Sequence, residues 1–246
     1  MKYFYTYSDD VFKNNREILL NEAISCNWFD KCTALSQNDL SNDFKEKFSH
    51  ILKCSRGGGY WIWKPYIIKT RLDMINDGDF LIYIDAGCKL NSRPEAKKRF
   101  DEYINMLNNS DKGLIAFQLE HPEYKYTKKE ILDYFNITEN DDKILNSGQL
   151  VGGIQVIKKN QHSVKLINEW YDTLVKCSSL FTDEKSKKQD SRFIDNRHDQ
   201  SVFSIIRKKH GAIVLPDETF FKQKHKWGGF GEDTSLKCPF WACRKK

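Results

Sequence analysis

Five consecutive apolar residues, Phe80-Leu81-Ile82-Tyr83-Ile84, end abruptly at Asp85-Ala86-Gly87. A continuous apolar run of this kind is what a central strand covered on both faces looks like. In open α/β sheets, ligands bind beyond the carboxyl ends of the strands, which is where Asp85 falls. A carboxylate there is a hard oxygen donor, suited to Mg²⁺ or Mn²⁺ and their phosphates, and it also suits the plain role of capping a turn. The small residues Ala86 and Gly87 leave room for a bulky ligand to reach the backbone. Upstream lies Arg56-Gly57-Gly58-Gly59-Tyr60-Trp61-Ile62-Trp63-Lys64-Pro65, a glycine break feeding a helix whose first turn accepts Pro65. Backbone N–H groups at a helix start, with Arg56 and Lys64 nearby, make an anion site, and Trp63 has a flat face for a base or sugar ring. The same segment also reads as a glycine turn before a core helix.

Three further constellations follow. Asn146-Ser147-Gly148-Gln149, with Gly152-Gly153 close behind, has side chains that read sugar hydroxyls and glycines that let a ring lie on the backbone; it is equally a turn before a bulged strand. Arg197-His198-Asp199-Gln200 opens a helix. Asp199 either caps that helix or, in a cleft, acts as a base or stabilises positive charge on a sugar. Lys224-His225-Lys226 offers an imidazole for a metal and cations for a diphosphate, within a glycine-rich tail that starts near residue 220.

Elements must position these residues. Residues 2–7, which include Tyr5 and Thr6, read as a short opening strand before the turn-like Ser8-Asp9-Asp10. Residues 11–25 have helical spacing, with Ile18, Leu19, Ala23 and Ile24 expected on one side. Residues 40–52 form a weaker helix, and others are expected over 65–75, 94–106, 127–135, 162–177 and 198–209. Strands are expected at 80–84, 113–117, 149–157 (interrupted by Gly152-Gly153) and 212–215, and residues 178–192 read as a mobile polar loop. Alternating strands and helices predict an α/β fold: one domain over residues 1–246, with a mostly parallel central sheet flanked by helices.

Composition narrows the function class. With 39% hydrophobic and 30% charged residues the chain is globular, and at 246 residues it is long enough for a sizeable core. The seven cysteines are odd in number and contain no Cys-x-x-Cys pair, which points away from zinc and from a secreted disulfide framework. A net charge of +6 favours anionic ligands, but the basic runs lack aromatic interleaving, so nucleic acid is not expected as a partner. No signal peptide or transmembrane segment is read, and a cytoplasmic location is expected.

In their order along the chain, these motifs resemble GT-A-fold nucleotide-sugar glycosyltransferases, nearest the glycogenin and galactosyltransferase-like branch and its bacterial and viral relatives. The resemblance covers roughly residues 2–229. It implies a nucleotide-diphosphate sugar donor (a UDP-sugar is favoured), a divalent Mn²⁺ or Mg²⁺ and transfer to a hydroxyl of a glycan or other acceptor. Asp85 matches the first acid after the central strand; Asn146 and Gly148 match the sugar-facing Asn-x-Gly; Asp199 and Gln200 match the Asp-Gln pair; His225 matches the late metal-binding histidine. Tyr5, Thr6, Arg56, Trp63, Lys64, Ala86, Gly87 and Lys226 are then expected around the donor, and Ser147, Gln149, Gly153 and His198 around sugar or acceptor. One departure stands out. The family's Asp-x-Asp is here Asp85-Ala86-Gly87, without the second carboxylate. Two rivals are a non-catalytic nucleotide-sugar or glycan-binding module and a sugar nucleotidyltransferase. The latter would need a glycine-rich phosphate loop where Ser8-Asp9-Asp10 stands.

Overall fold

The computed structural model describes residues 1–219 and 236–243. Its centre is a seven-stranded sheet. The strands are β1 (Lys2–Tyr7), β2 (Lys31–Leu35), β3 (Phe80–Ile84), β5 (Leu114–Pro122), β6 (Gly148–Leu150), β7 (Ile154–Lys158) and β8 (Ile213–Pro216). A separate ribbon joins β4 (Lys89–Leu90) to β9 (Phe240–Trp241). β1 pairs in parallel with β2 and β3, β3 pairs antiparallel with β7, and β7 pairs antiparallel with β5. β8 is parallel to β5, so β1, β2, β3, β5 and β8 share one direction while β6 and β7 oppose them. The mostly parallel α/β sheet expected from the sequence is present.

Ile115 pairs with both Val156 and Ile213, and Gln118 pairs with both Leu150 and Pro216. Each strand residue has two edges, so β8 occupies one edge of β5 while β6 and β7 share the other. β6 and β7 are therefore one strand broken at Val151-Gly152-Gly153, as the interrupted 149–157 strand foresaw. The break throws Gly152 and Gly153 out of the ladder beside the end of β3, where the Asp85 N–H donates to the Gly153 carbonyl at 2.8 Å.

Strand alternation sorts the core into two layers. Tyr5, Tyr7, Leu81, Tyr83, Leu114 and Ile157 face one side, against the helices Trp63–Asp73, Gln161–Lys176 and Asp199–His210. Phe4, Ile82, Ile84, Ile115, Phe117 and Val156 face the other, against Lys13–Ser25 and Pro94–Asn108. Because odd-numbered residues of β3 face the first layer, Asp85 continues the Tyr83 side and meets the helices that carry Lys64 and Asp199.

Some expectations are corrected. In Lys13–Ser25 the buried stripe is Arg16, Leu19 and Ala23, while Ile18 is 56% exposed and Ile24 52%. Spacing of three and four residues selects one stripe, and 18 and 24 lie on its flanks. The 40–52 helix is two short ones, Asn42–Lys47 and Ser49–Leu52. The 127–135 helix is present as Lys129–Tyr134, and a short helix that was not expected, Glu123–Tyr126, precedes it. The edge strand β2 was not expected, because only Leu35 of Lys-Cys-Thr-Ala-Leu is buried. The 178–192 loop is tied down: the buried Lys128 ammonium donates to the carbonyls of Ser179, Thr182 and Glu184 at 2.7–3.0 Å.

Candidate functional site

Lys64, Asp85 and Asp199 converge from three elements. Lys64 is the second residue of Trp63–Asp73, Asp85 follows β3, and Asp199 opens Asp199–His210. The Lys64 Nζ lies 3.2 Å from Asp85 Oδ1, 3.3 Å from Asp85 Oδ2 and 2.9 Å from Asp199 Oδ2. Tyr83, two residues before Asp85 on the same strand face, donates its hydroxyl to Asp85 Oδ1 at 2.8 Å. The Lys64 and Asp199 side chains are 3% and 5% exposed, whereas Asp85 keeps 30% of its side chain open. Asp85 is thus the member that faces outward, and the ammonium and second carboxylate stand behind it.

The electrostatics follow from burial. Burial opposes charge on Lys64, but Asp199 and Asp85 outweigh it and hold the ammonium above its usual range. Asp199 is pushed up to about 6, first by burial and then by Asp85, against the pull of Lys64. Its place in the first turn of a helix also puts it at the positive end of the helix dipole.

Glycines allow this convergence. A Cβ at Gly153 would stand 2.6 Å from Asp85 Oδ2, and one at Gly152 would stand 2.7 Å from Gln200 Cβ. The Gly152 N–H donates to Gln200 Oε1 at 2.8 Å, and Gln200 Nε2 donates to Gln149 Oε1 at 2.5 Å. Gln149 is buried and donates onward to Glu123, Thr127 and Ser201. Arg207, in the same helix as Asp199, donates to the carbonyls of Leu150 and Val151 at 3.1 and 3.0 Å. The helix and the strand break are therefore locked to each other at both ends of the contact.

A second cluster adjoins the first through His198. Tyr60, Trp61 and His198 all have left-handed φ, at 55°, 58° and 54°, a costly conformation outside glycine. The His198 ring stacks on Tyr60 at 5.1 Å and leans on Trp61 at 5.3 Å. Its Nε2 meets Asp183 Oδ1 at 2.8 Å, and Arg56 bridges Asp183 at 3.0 Å to Asp195 at 2.7 Å. Burial pushes the imidazole down while Asp183 pulls it up; Asp183 is held below the usual carboxylate range by His198 and Arg56, against its own burial. Gly57, Gly58 and Gly59 are all left-handed, and a Cβ at Gly57 would meet the Trp61 ring at 2.4 Å.

The remaining expected residues sit as follows. Trp63 is buried, stacked on Tyr7 at 4.0 Å, with its indole N–H donating to the Gly57 carbonyl. Tyr5 and Thr6 are buried within β1. Ala86 is buried and Gly87 partly exposed in the turn that the Cys88 N–H closes on the Asp85 carbonyl. Asn146 is exposed and donates to Asp142; Ser147 donates to the Ile144 carbonyl; Gly148 has no room for a side chain, since a Cβ would stand 1.6 Å from the Leu119 carbonyl oxygen. His225 and Lys226 lie outside the described residues.

No family model matches this chain, and no curated protein matches its sequence. Solved structures do match its fold. A glycosyltransferase involved in glycosylation of the major capsid of PBCV-1 superposes with a TM-score of 0.51 at 9% identity, over 98% of this chain and 92% of the other. Mouse xyloside xylosyltransferase 1 gives 0.48 at 11%, over 89% and 87%, and the glycosyltransferase GlyE of Streptococcus pneumoniae gives 0.46 at 13%, over 88% and 45%. The fold is GT-A-like. Likeness at such identity concerns backbone architecture alone.

On this GT-A-like sheet the expected Mn²⁺ or Mg²⁺ can be tested against the donor set. Hard divalent ions require about six oxygen ligands in an open shell. Asp85 shares both oxygens with Lys64, and Oδ1 also with Tyr83; Asp199 is buried against the same ammonium. Among the described residues no three His, Cys, Asp or Glu side chains gather, so the fit rests on these two carboxylates. These carboxylates do not fit a divalent ion.

Sequence reasoning missed Tyr83, Asp183 and Asp195. Tyr83 was findable, since a strand period of two puts it on the face of Asp85. Asp183 and Asp195 belong to a polar stretch whose pairing with Arg56 spans more than a hundred residues, and no local signal marks them.

Proposed function

We propose that residues 1–246 form one glycosyltransferase domain of the EC 2.4 kind, moving a sugar from a nucleotide-diphosphate donor to a hydroxyl of a glycan or other acceptor. A UDP-sugar is the favoured donor. The observation that carries this reading is the Lys64–Asp85–Asp199 group at the carboxyl edge of β3, where sheets of this kind bind ligands, on a fold shared with a known glycosyltransferase.

In the transfer, the bond from the sugar's anomeric carbon to the diphosphate oxygen breaks and a bond to the acceptor oxygen forms. The acceptor proton leaves with the diphosphate or passes to a base. Positive charge grows on the anomeric carbon, and fixed carboxylates nearby stabilise it. Asp85, the exposed member, is suited to the sugar hydroxyls, and Tyr83 and Lys64 hold its orientation. The burial of Asp199 suits it to supplying charge rather than to meeting an acceptor freely. Gln200 and Gln149 fix the Gly152-Gly153 break, and His198 and Arg56 fix the wall formed by the glycine loop. No helix among the described residues is long and apolar enough to cross a membrane.

The test is thermal stability against a panel of nucleotide diphosphates and their sugars. A ligand at a hundred times its dissociation constant adds roughly 2.7 kcal/mol, a readily seen melting shift. A shift with one nucleotide family, lost in Asp85→Ala, is the expected result. A folded protein that shifts with none of them ends the donor reading.

A further inference from the structure

The two carboxylates of the site already hold a cation. Lys64 Nζ sits within 3.3 Å of both Asp85 oxygens and 2.9 Å from Asp199. It is 3% exposed and is carried by the second residue of a helix packed into the core, so it does not swing away at low cost. Its ring neighbours reinforce the position: Nζ lies 5.6 Å from the Trp63 ring centre and 5.8 Å from that of Tyr83. The remaining lone pairs of Asp85 are restricted as well. Oδ1 accepts the Tyr83 hydroxyl, and the Gly153 backbone lies so close to Oδ2 that a Cβ there would be at 2.6 Å. A divalent ion entering beside this ammonium would meet a like charge and a carboxylate with both oxygens engaged.

We propose that Lys64 is the resident cation of the Asp85–Asp199 pair, standing in the place of a divalent metal, so that Asp85 presents its open side to hydroxyl groups of the donor. The missing second acid of the Asp-x-Asp pattern is then no defect: with Ala86 and Gly87 following Asp85, the pair is built around an ammonium. A hydroxyl is the matching ligand, because it donates to a carboxylate without displacing the lysine. The hydroxyl assignment rests on the donor reading above; the cation assignment does not.

Two measurements separate them. First, free protein is titrated with Mn²⁺, followed by the electron paramagnetic resonance of the unbound ion, in wild type and Asp85→Asn. Equal Mn²⁺ uptake by the two proteins, including none by either, supports the proposal. Uptake by wild type that weakens tenfold or more in a folded Asp85→Asn overturns it. A folded Lys64→Met protein should gain Mn²⁺ affinity at least tenfold; a folded one that gains none overturns the stand-in role of the ammonium. Second, UDP affinity is measured by calorimetry in Mn²⁺ and in EDTA. Agreement within twofold supports metal-free binding, and a tenfold loss in EDTA that Asp85→Asn abolishes overturns it. Should UDP bind in neither buffer, the preference for UDP fails, and the Mn²⁺ titration still decides whether Lys64 is the resident cation.

Discussion

Asp199 is the residue whose chemistry depends most on its surroundings, because a buried carboxylate with one cationic partner holds its proton up to about pH 6. The sign of the consequence is definite. A carboxyl that binds its proton more tightly when folded contributes stability below its ordinary range, and loses it as pH rises from about 4 to about 6. Stability of the wild type relative to Asp199→Asn should therefore fall across that window and level off above it, by up to about 3 kcal/mol. Urea unfolding at pH 4, 5, 6 and 7 reads this directly, and a flat difference would remove the raised proton affinity from the account. Lys64 gives the complementary case. Replacing it with Met leaves Asp199 buried beside Asp85 with no cation, which should cost about 3–5 kcal/mol at pH 7. The cost should shrink at pH 5, where Asp199 takes up a proton; an equal loss at both pH values would contradict the charge argument.

At the scale of elements, the site exists because a strand breaks where two side chains need the space. β6 and β7 lie on one edge of β5, and the residues between them press against Asp85 and Gln200. Gly153→Ala should push the Asp85 carboxylate off Lys64, lowering stability by about 1–3 kcal/mol and abolishing the nucleotide melting shift. A Gly153→Ala protein that keeps both would show that the close approach is not needed. Much at this scale was readable beforehand. The apolar run of β3, the Gly152-Gly153 interruption and the helix carrying Trp170 were all legible, because their residues are buried and periodic. β2 was not, since four of its five residues keep some exposure and look like a loop.

Across the whole molecule, distant segments are brought together by ion pairs that no local pattern encodes. Residues 178–192 read as a mobile polar loop, yet Lys128 holds three of its carbonyls, and Arg56 holds Asp183 within it and Asp195 just beyond it. The Arg56 pairs are about half-exposed, so Arg56→Ala should change global stability by no more than about 1 kcal/mol. Local opening should respond far more. Cleavage after the exposed Glu184 by a glutamate-specific protease should become several-fold faster, while the melting temperature hardly moves. Unchanged cleavage would mean that the segment's other ties, among them Lys128, Glu130 and His198, hold it without Arg56.

By itself the sequence determined the α/β class, the central strand, most helix positions and the residues Lys64, Asp85, Asp199 and Gln200 as the ones to watch, because burial and periodicity are local properties of the chain. It offered Arg56 and Lys64 equally as phosphate cations and Trp63 as a stacking face. Tertiary structure alone decided that Lys64 points into the carboxylates, that Arg56 closes on Asp183 and Asp195, and that Trp63 is buried on Tyr7. The reason is physical: which partner a charge or a ring meets depends on contacts made across tens of residues or more, and the chain records the residue types but not their pairing.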